Sequence, residues 1–253
     1  MFTIERIKSD TSEKPIWVVI DKDFLQTDQN GLSKIIANGL RLLLTARTAY
    51  EIHTTGKQGV RNKCLQALDI FRDNVDVVEE DGNNGLLGYE IKEKKPSSDV
   101  LQNYVYSLPN NLDQFLQNIN PSQWKESFEI RPAKEFQNVV VEMKNKIPSL
   151  SKNNLKDRSI VQDIYAQLTK QIQKLPPAED IDERWIIFRR LQVDCWMILD
   201  RANVNDKNRL HDRIDSRLAD VALLTKGLAT NDRSIKSIFS FFCPTGKLFS
   251  KTN

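Results

Sequence analysis

At 253 residues the chain can form one large domain or two small ones, and at 40% hydrophobic and 28% charged it can bury a core without staples. A formal net charge of +3 is too small to mark a nucleic-acid binder by bulk charge, and the presence of only two histidines argues against a histidine-rich metal site or a Ser-His-Asp triad. Cys64, Cys195 and Cys243 are odd in number and lack CxxC spacing, which predicts reduced thiols in a cytosol over a disulfide frame or a zinc site.

Residues 1–15 read as a polar leader without the apolar stretch of a signal peptide, and no apolar run reaches membrane-span length. A cytoplasmic location with no membrane partner is therefore expected. Ile16 to Ile20 is continuously apolar and rich in β-branched residues, as a central parallel strand requires. Gly31 to Gly39 predicts a short helix and Leu40 to Thr45 a second strand. Ala46 to Ile52 predicts the first turns of a helix, with Glu51 turned back toward the strand end. Gln58 to Phe71 carries Val60, Cys64, Leu65, Leu68 and Phe71 on one helical face. Val75 to Val78 is a third strand, Asp81 to Gly85 a turn, and Leu86 to Ile91 a further strand or hairpin return.

Sheet signals fade from Lys92 to about Pro121. Ser159 to Leu175 predicts an amphipathic helix that Pro176-Pro177 stops. Asp180 to Asn203 predicts a longer, largely buried helix with Trp185 and Trp196 in the core. Asn208 to Thr225 reads as helix, Leu228 to Thr230 as strand, Ser234 to Phe242 as helix and Lys247 to Phe249 as an edge strand. This alternation specifies an α/β fold. The expected organisation is a single domain over residues 1–253, with sheet-forming parts at about 14–92 and 205–253 and a largely helical insertion at about 95–204.

The chemistry-bearing pattern is acidic. Asp21 and Asp232 each end a strand, Glu51 sits early in a helix, and Asp215 opens another, with Asp23 and Asp212 in support. Carboxylates that converge at one sheet rim raise one another's pKa, and a divalent cation relieves the conflict. Oxygen-only ligands favour Mg²⁺ or Mn²⁺ over zinc, and phosphate is the substrate that bridges to such an ion. Each acid also has an ordinary explanation. An aspartate after a strand is most often a turn or cap residue, Asp232 is placed to N-cap the helix that follows it, and a helix glutamate is usually solvated.

Taken together, these residues resemble the PIN-domain nucleases. The resemblance rests on the apolar strand ending in Asp21 with Asp23 two residues later, on Glu51, on Asp215, and most of all on the strand ending Thr230-Asn231-Asp232. It implies a three-layer α/β/α fold around a mostly parallel sheet, and a metal-dependent endonuclease acting on RNA ahead of DNA. Asp21, Asp215 and Asp232 would be metal ligands, Glu51 a ligand or water-positioner, Thr230 a supporting hydroxyl and Asn231 a supporting neighbour. Lys226, Arg233 and Lys236, from a C-terminal stretch whose net charge is positive, are the candidates for contacting nucleic acid. Toxin- or effector-like members of such families are held by a regulatory protein partner. The middle of this chain matches none of that pattern.

Two other classes fit part of the pattern. A HAD-like phosphohydrolase would use Asp21 and Asp23 as nucleophile and acid/base, with Thr45 as the hydroxyl of the second strand. A catalytically inactive α/β module would act by binding a partner through the helical insertion.

Overall fold

Four consecutive apolar residues with no polar face need a strand covered on both sides. Trp17–Ile20 forms such a strand, β1, and all four of its residues are buried. The structure, a computed structural model, describes residues 16–81, 85–109, 138, 140–142, 145, 150–170, 175–200 and 217–251. Strands Arg41–Thr45 (β2), Val75–Val78 (β3), Val105–Ser107 (β4), Gly227–Ala229 (β5) and Lys247–Phe249 (β6) join β1 in one sheet of order β4-β3-β2-β1-β5-β6. All neighbours run parallel except β4, which lies antiparallel to β3 at the edge. The chain winds outward from β1 through β2 to β3, then returns to place β5 and β6 on the other side. The winding reverses between β1 and β5, and such a reversal opens a crevice beyond the carboxyl ends of the two strands.

Strand side chains alternate between faces, so each strand feeds two cores. On one face Val18, Ile20, Leu42, Leu44 and Val77 pack with Phe24, Leu32, Ile52 and Leu68. Those partners come from helices Lys22–Thr27 (α1), Gln29–Ala37 (α2), Ala46–Thr54 (α3) and Gln58–Ile70 (α4). On the other face Trp17, Val19, Leu43, Val78 and Leu228 pack with Leu87, Ile164, Phe188, Val221 and Phe239. These belong to Leu86–Glu93 (α5), Arg158–Thr169 (α7), Ile186–Asp200 (α8), Arg217–Thr225 (α9) and Arg233–Phe242 (α10); a short helix, Leu101–Tyr104 (α6), leads into β4. The fold is α/β with a mostly parallel sheet between helical layers. Among the described residues, no helix is long and apolar enough to cross a membrane.

The structure differs from the sequence expectations in the middle of the chain. Leu86 to Ile91 is not a strand or hairpin return but the first turns of α5. A short apolar run fits either state by periodicity, and here tertiary demand decides. Helical geometry carries Glu90 into the core, where it is fully buried. The region where sheet signals fade supplies β4, whose Tyr106 stands opposite Val77. The helix expected to begin at Asp180 begins at Ile186, because its first amides find their acceptor there. Helices α7 and α8, from the stretch read as an insertion, supply much of one core, and Trp185 and Trp196 are both buried. The turn over residues 82–84, the helix end at 171–174 and residues 201–216 lie outside the described residues.

The acceptor for α8 is Glu90. Its carboxylate takes the amides of Ile186 at 2.6 Å and Ile187 at 3.0 Å, and that of Ser97 at 3.0 Å. Burial pushes this carboxyl up to about 7, although the amide hydrogen bonds pull the other way. Glu90→Ala leaves three buried donors without their acceptor, so a loss of about 2–4 kcal/mol is expected in denaturant unfolding. Glu90→Gln, which keeps an acceptor, will lose less. A Glu90→Ala protein within 1 kcal/mol of wild type would show that α8 is anchored by other means.

Candidate functional site

Asp21 follows the last residue of β1 and stands as the N-cap of α1 in extended conformation. Its amide donates to the Ala229 carbonyl at 3.0 Å, which continues the β1–β5 pairing by one step. Thr230 follows Ala229 and is fully buried. Its hydroxyl donates to Asp21 Oδ2 at 2.8 Å and accepts the Asp232 amide at 3.1 Å. One hydroxyl thus ties the two acid-bearing strand ends together, although 209 residues separate Thr230 from Asp21. The first carboxylate oxygen of Asp232 accepts the Ile235 amide at 2.8 Å and caps α10, so the ordinary N-cap role is real. Asn231 crosses between elements: its amide group donates to Thr27 at 3.1 Å and its oxygen accepts the Lys251 amide at 2.9 Å.

The opposite wall comes from α3. Thr45, at the end of β2, caps this helix by accepting the Thr48 amide at 3.2 Å. The two amides before it, of Ala46 and Arg47, go to the Glu80 carboxylate at 2.9 and 3.0 Å. With its first turn fixed, α3 presents Thr48 and, one turn later, Glu51. Glu51 Oε2 lies 3.1 Å from Lys22 Nζ.

These walls enclose a cleft of about 270 Å³ lined by Asp21, Lys22, Asp23, Thr48, Glu51, Leu218, Asn231, Asp232 and Ile235. Asp21, Asp23 and Glu51 are partly buried, and Asp232 is exposed. Burial pushes the Asp21 carboxyl up to about 6; the Thr230 hydrogen bond opposes this, and the Glu51 and Asp23 charges add to it. Among the described lining residues, four carboxylates face a single ammonium, that of Lys22. The donor set is all oxygen and short of positive charge, which suits a hard divalent cation. Among the described residues, no group of three or more acids, histidines or cysteines is arranged to hold an ion. Asp212 and Asp215, the latter predicted as a ligand, lie outside the described residues; the next described residue, Arg217, opens α9, whose Leu218 lines the cleft.

The predicted nucleic-acid contacts separate. Arg233 and Lys236 lie in the first turns of α10, beside Asp232 but outside the cleft lining. Lys226 precedes β5, at the amino end of the strand, roughly 13 Å of extended chain from Thr230 and on the opposite edge of the sheet. Thr45, which a phosphohydrolase would turn toward Asp21, is buried, and its hydroxyl is spent on Thr48.

Sequence reasoning missed Lys22 and Thr48, and it missed the acids after β3. The signal was present, because Glu79-Glu80-Asp81 also follows a strand. Asp81 is buried and holds Arg47, the neighbour of Thr48, at 2.6 Å and Arg190 at 2.8 Å. Arg190 reaches Asp220 at 2.9 Å, and Arg217 holds both Asp220 at 3.0 Å and Asp194 at 2.8 Å. Among the described residues, three guanidiniums thus meet four carboxylates, counting Glu80. Burial and the adjacent Asp81 push Glu80 up to about 7, and burial raises Asp220 as well. The network joins α3, the end of β3, α8 and α9, and two of its members, Arg47 and Arg217, are chain neighbours of the lining residues Thr48 and Leu218.

Comparison of the chain with protein-family models, curated proteins and solved structures gave no match.

Proposed function

We propose that the protein is a PIN-like, divalent-metal-dependent nuclease that cuts phosphodiester bonds, with RNA ahead of DNA as substrate. One observation carries the reading: Asp21, Asp23, Glu51 and Asp232 line a single cleft at the carboxyl ends of β1 and β5, where the winding of the sheet reverses. The parallel sheet between two helical layers agrees with it. So does the raised pKa of Asp21, since a carboxylate short of countercharge is one that a cation would favour. Control by a regulatory protein partner belongs to the same reading.

Asp21 and Asp232, with Glu51 beside them, are the residues that would hold Mg²⁺ or Mn²⁺. When bound, such an ion supplies charge for a phosphate oxygen and a more acidic water. The chain's own contribution is positional. Thr230 fixes the rotamer of Asp21, the α10 cap fixes Asp232, and the Glu80 and Thr45 contacts fix the turn of α3 that carries Thr48 and Glu51.

The test is cleavage of a labelled single-stranded oligoribonucleotide in Mn²⁺ by wild type, Asp21→Asn and Asp232→Asn. Asparagine is as good an N-cap as aspartate, so Asp232→Asn should fold normally. Each variant should lose about 100-fold or more, because even outer-shell partners of a metal are worth 10–100-fold. Cleavage by both variants at the wild-type rate would remove the assignment.

A further inference from the structure

Lys22 is the one cation among the described residues lining the cleft, and the metal-nuclease reading gives it no role. Its main chain is held: it opens α1, and its carbonyl accepts the buried Cys64 thiol at 3.8 Å. Its ammonium sits 3.1 Å from Glu51, with both side chains 29% exposed. A lysine tip is a point charge on four flexible bonds, so it can change partner while its backbone stays fixed. Its present partner is one of the carboxylates a cation would need.

On the reading proposed above, we infer that Lys22 is the resident countercharge of the cleft: it neutralises Glu51 until a divalent ion binds, and its ammonium then anchors a phosphate of the substrate. The two roles share one cause. An ammonium inside an acidic cleft opposes a second cation and attracts a phosphate oxygen. Removing its charge must therefore move metal affinity and phosphate affinity in opposite directions. A residue that only buttressed the fold would weaken both or neither.

The experiment uses the full chain and Mn²⁺ alone as the first probe. Thermal melts across a Mn²⁺ titration are run on wild type, Lys22→Gln, Lys22→Arg and Lys34→Gln, the last removing an exposed lysine of α2 that does not line the cleft. The Lys22→Gln midpoint should fall about tenfold in Mn²⁺ concentration, since one adjacent opposite charge commonly shifts a carboxylate's binding equilibrium by a factor of ten or more. Lys22→Arg and Lys34→Gln should match wild type. With a labelled oligoribonucleotide at saturating Mn²⁺, Lys22→Gln should raise KM about tenfold and leave kcat less affected. An unchanged Mn²⁺ midpoint in Lys22→Gln overturns the inference while leaving the nuclease reading in place. A tightened midpoint with unchanged KM overturns the anchoring role. Absence of any Mn²⁺ response in wild type removes the nuclease reading itself.

Discussion

Asp21→Asn will melt several degrees above wild type at pH 8 in chelator, and it will lose the wild type's stabilisation by Mn²⁺. The sign follows from linkage. The Asp21 carboxyl titrates near its ordinary 3.8 in the unfolded chain and near 6 in the fold. Its contribution to stability is therefore complete below the lower value and is lost as pH rises through the upper one. At pH 8 the metal-free protein carries a partly buried carboxylate that burial disfavours. Asparagine keeps the shape and a partner for Thr230 while removing the charge. The gain is about 1–3 kcal/mol, or a few degrees for a chain of this size. Mn²⁺ at a hundred times its Kd should stabilise wild type by about 2.7 kcal/mol and the variant by almost nothing. The check is a set of melts at pH 5 and pH 8, with and without Mn²⁺. The variant's advantage should shrink at pH 5, where Asp21 is largely protonated. An Asp21→Asn protein less stable than wild type at pH 8 would mean that Asp21 holds the fold together and is not strained within it.

The second large effect is at Arg190. Its side chain is 4% exposed and pairs with Asp81 and Asp220, which are buried still more completely. Arg190→Met fills similar space without charge and leaves those two carboxylates sharing Arg47 and Arg217. Breaking one partner from a buried ionic set costs about 3–5 kcal/mol, because a charge remains in a medium that solvates it poorly. That is a large share of the ~5–15 kcal/mol that holds a typical domain. Lys92→Ala, which removes an ion pair with the exposed Glu93, should cost about 1 kcal/mol or less. Urea unfolding midpoints of the two variants provide the comparison. Equal losses would mean that the buried network adds nothing beyond surface pairing.

The outer thirds of the chain were legible because their signals are local. Val75–Val78 and Lys247–Phe249 have the bounds expected of them, and α4 and α10 differ from expectation by one residue at an end. Apolar runs bounded by turns, and stripes of helical period, need no knowledge of partners. The acids at strand ends were legible for the same reason. A parallel sheet delivers its strand ends to one rim, so acids at those ends are candidates to meet there.

The middle was not legible because its local signals are balanced. Leu86 to Ile91 could be strand or helix, and the need of α8 for the Glu90 carboxylate favours the helix. Val105–Ser107 pairs with β3 only because β3 is the open edge of the sheet. Asp220 meets Arg217 three residues away, but its burial and its bond to Arg190 follow from no spacing rule.

The sequence by itself determined that this is an α/β protein and which acids stand at its strand ends, since periodicity and end residues are properties of a few neighbours along the chain. Only the tertiary structure decided that Thr230 joins Asp21 to Asp232, that Lys22 faces Glu51, and that Glu80 and Asp81 after β3 are locked in a buried ionic network while the acids after β1 and β5 line the cleft. The physical reason is that a carboxylate's role depends on burial and on the charge that faces it. Both are set by packing between segments far apart in the chain.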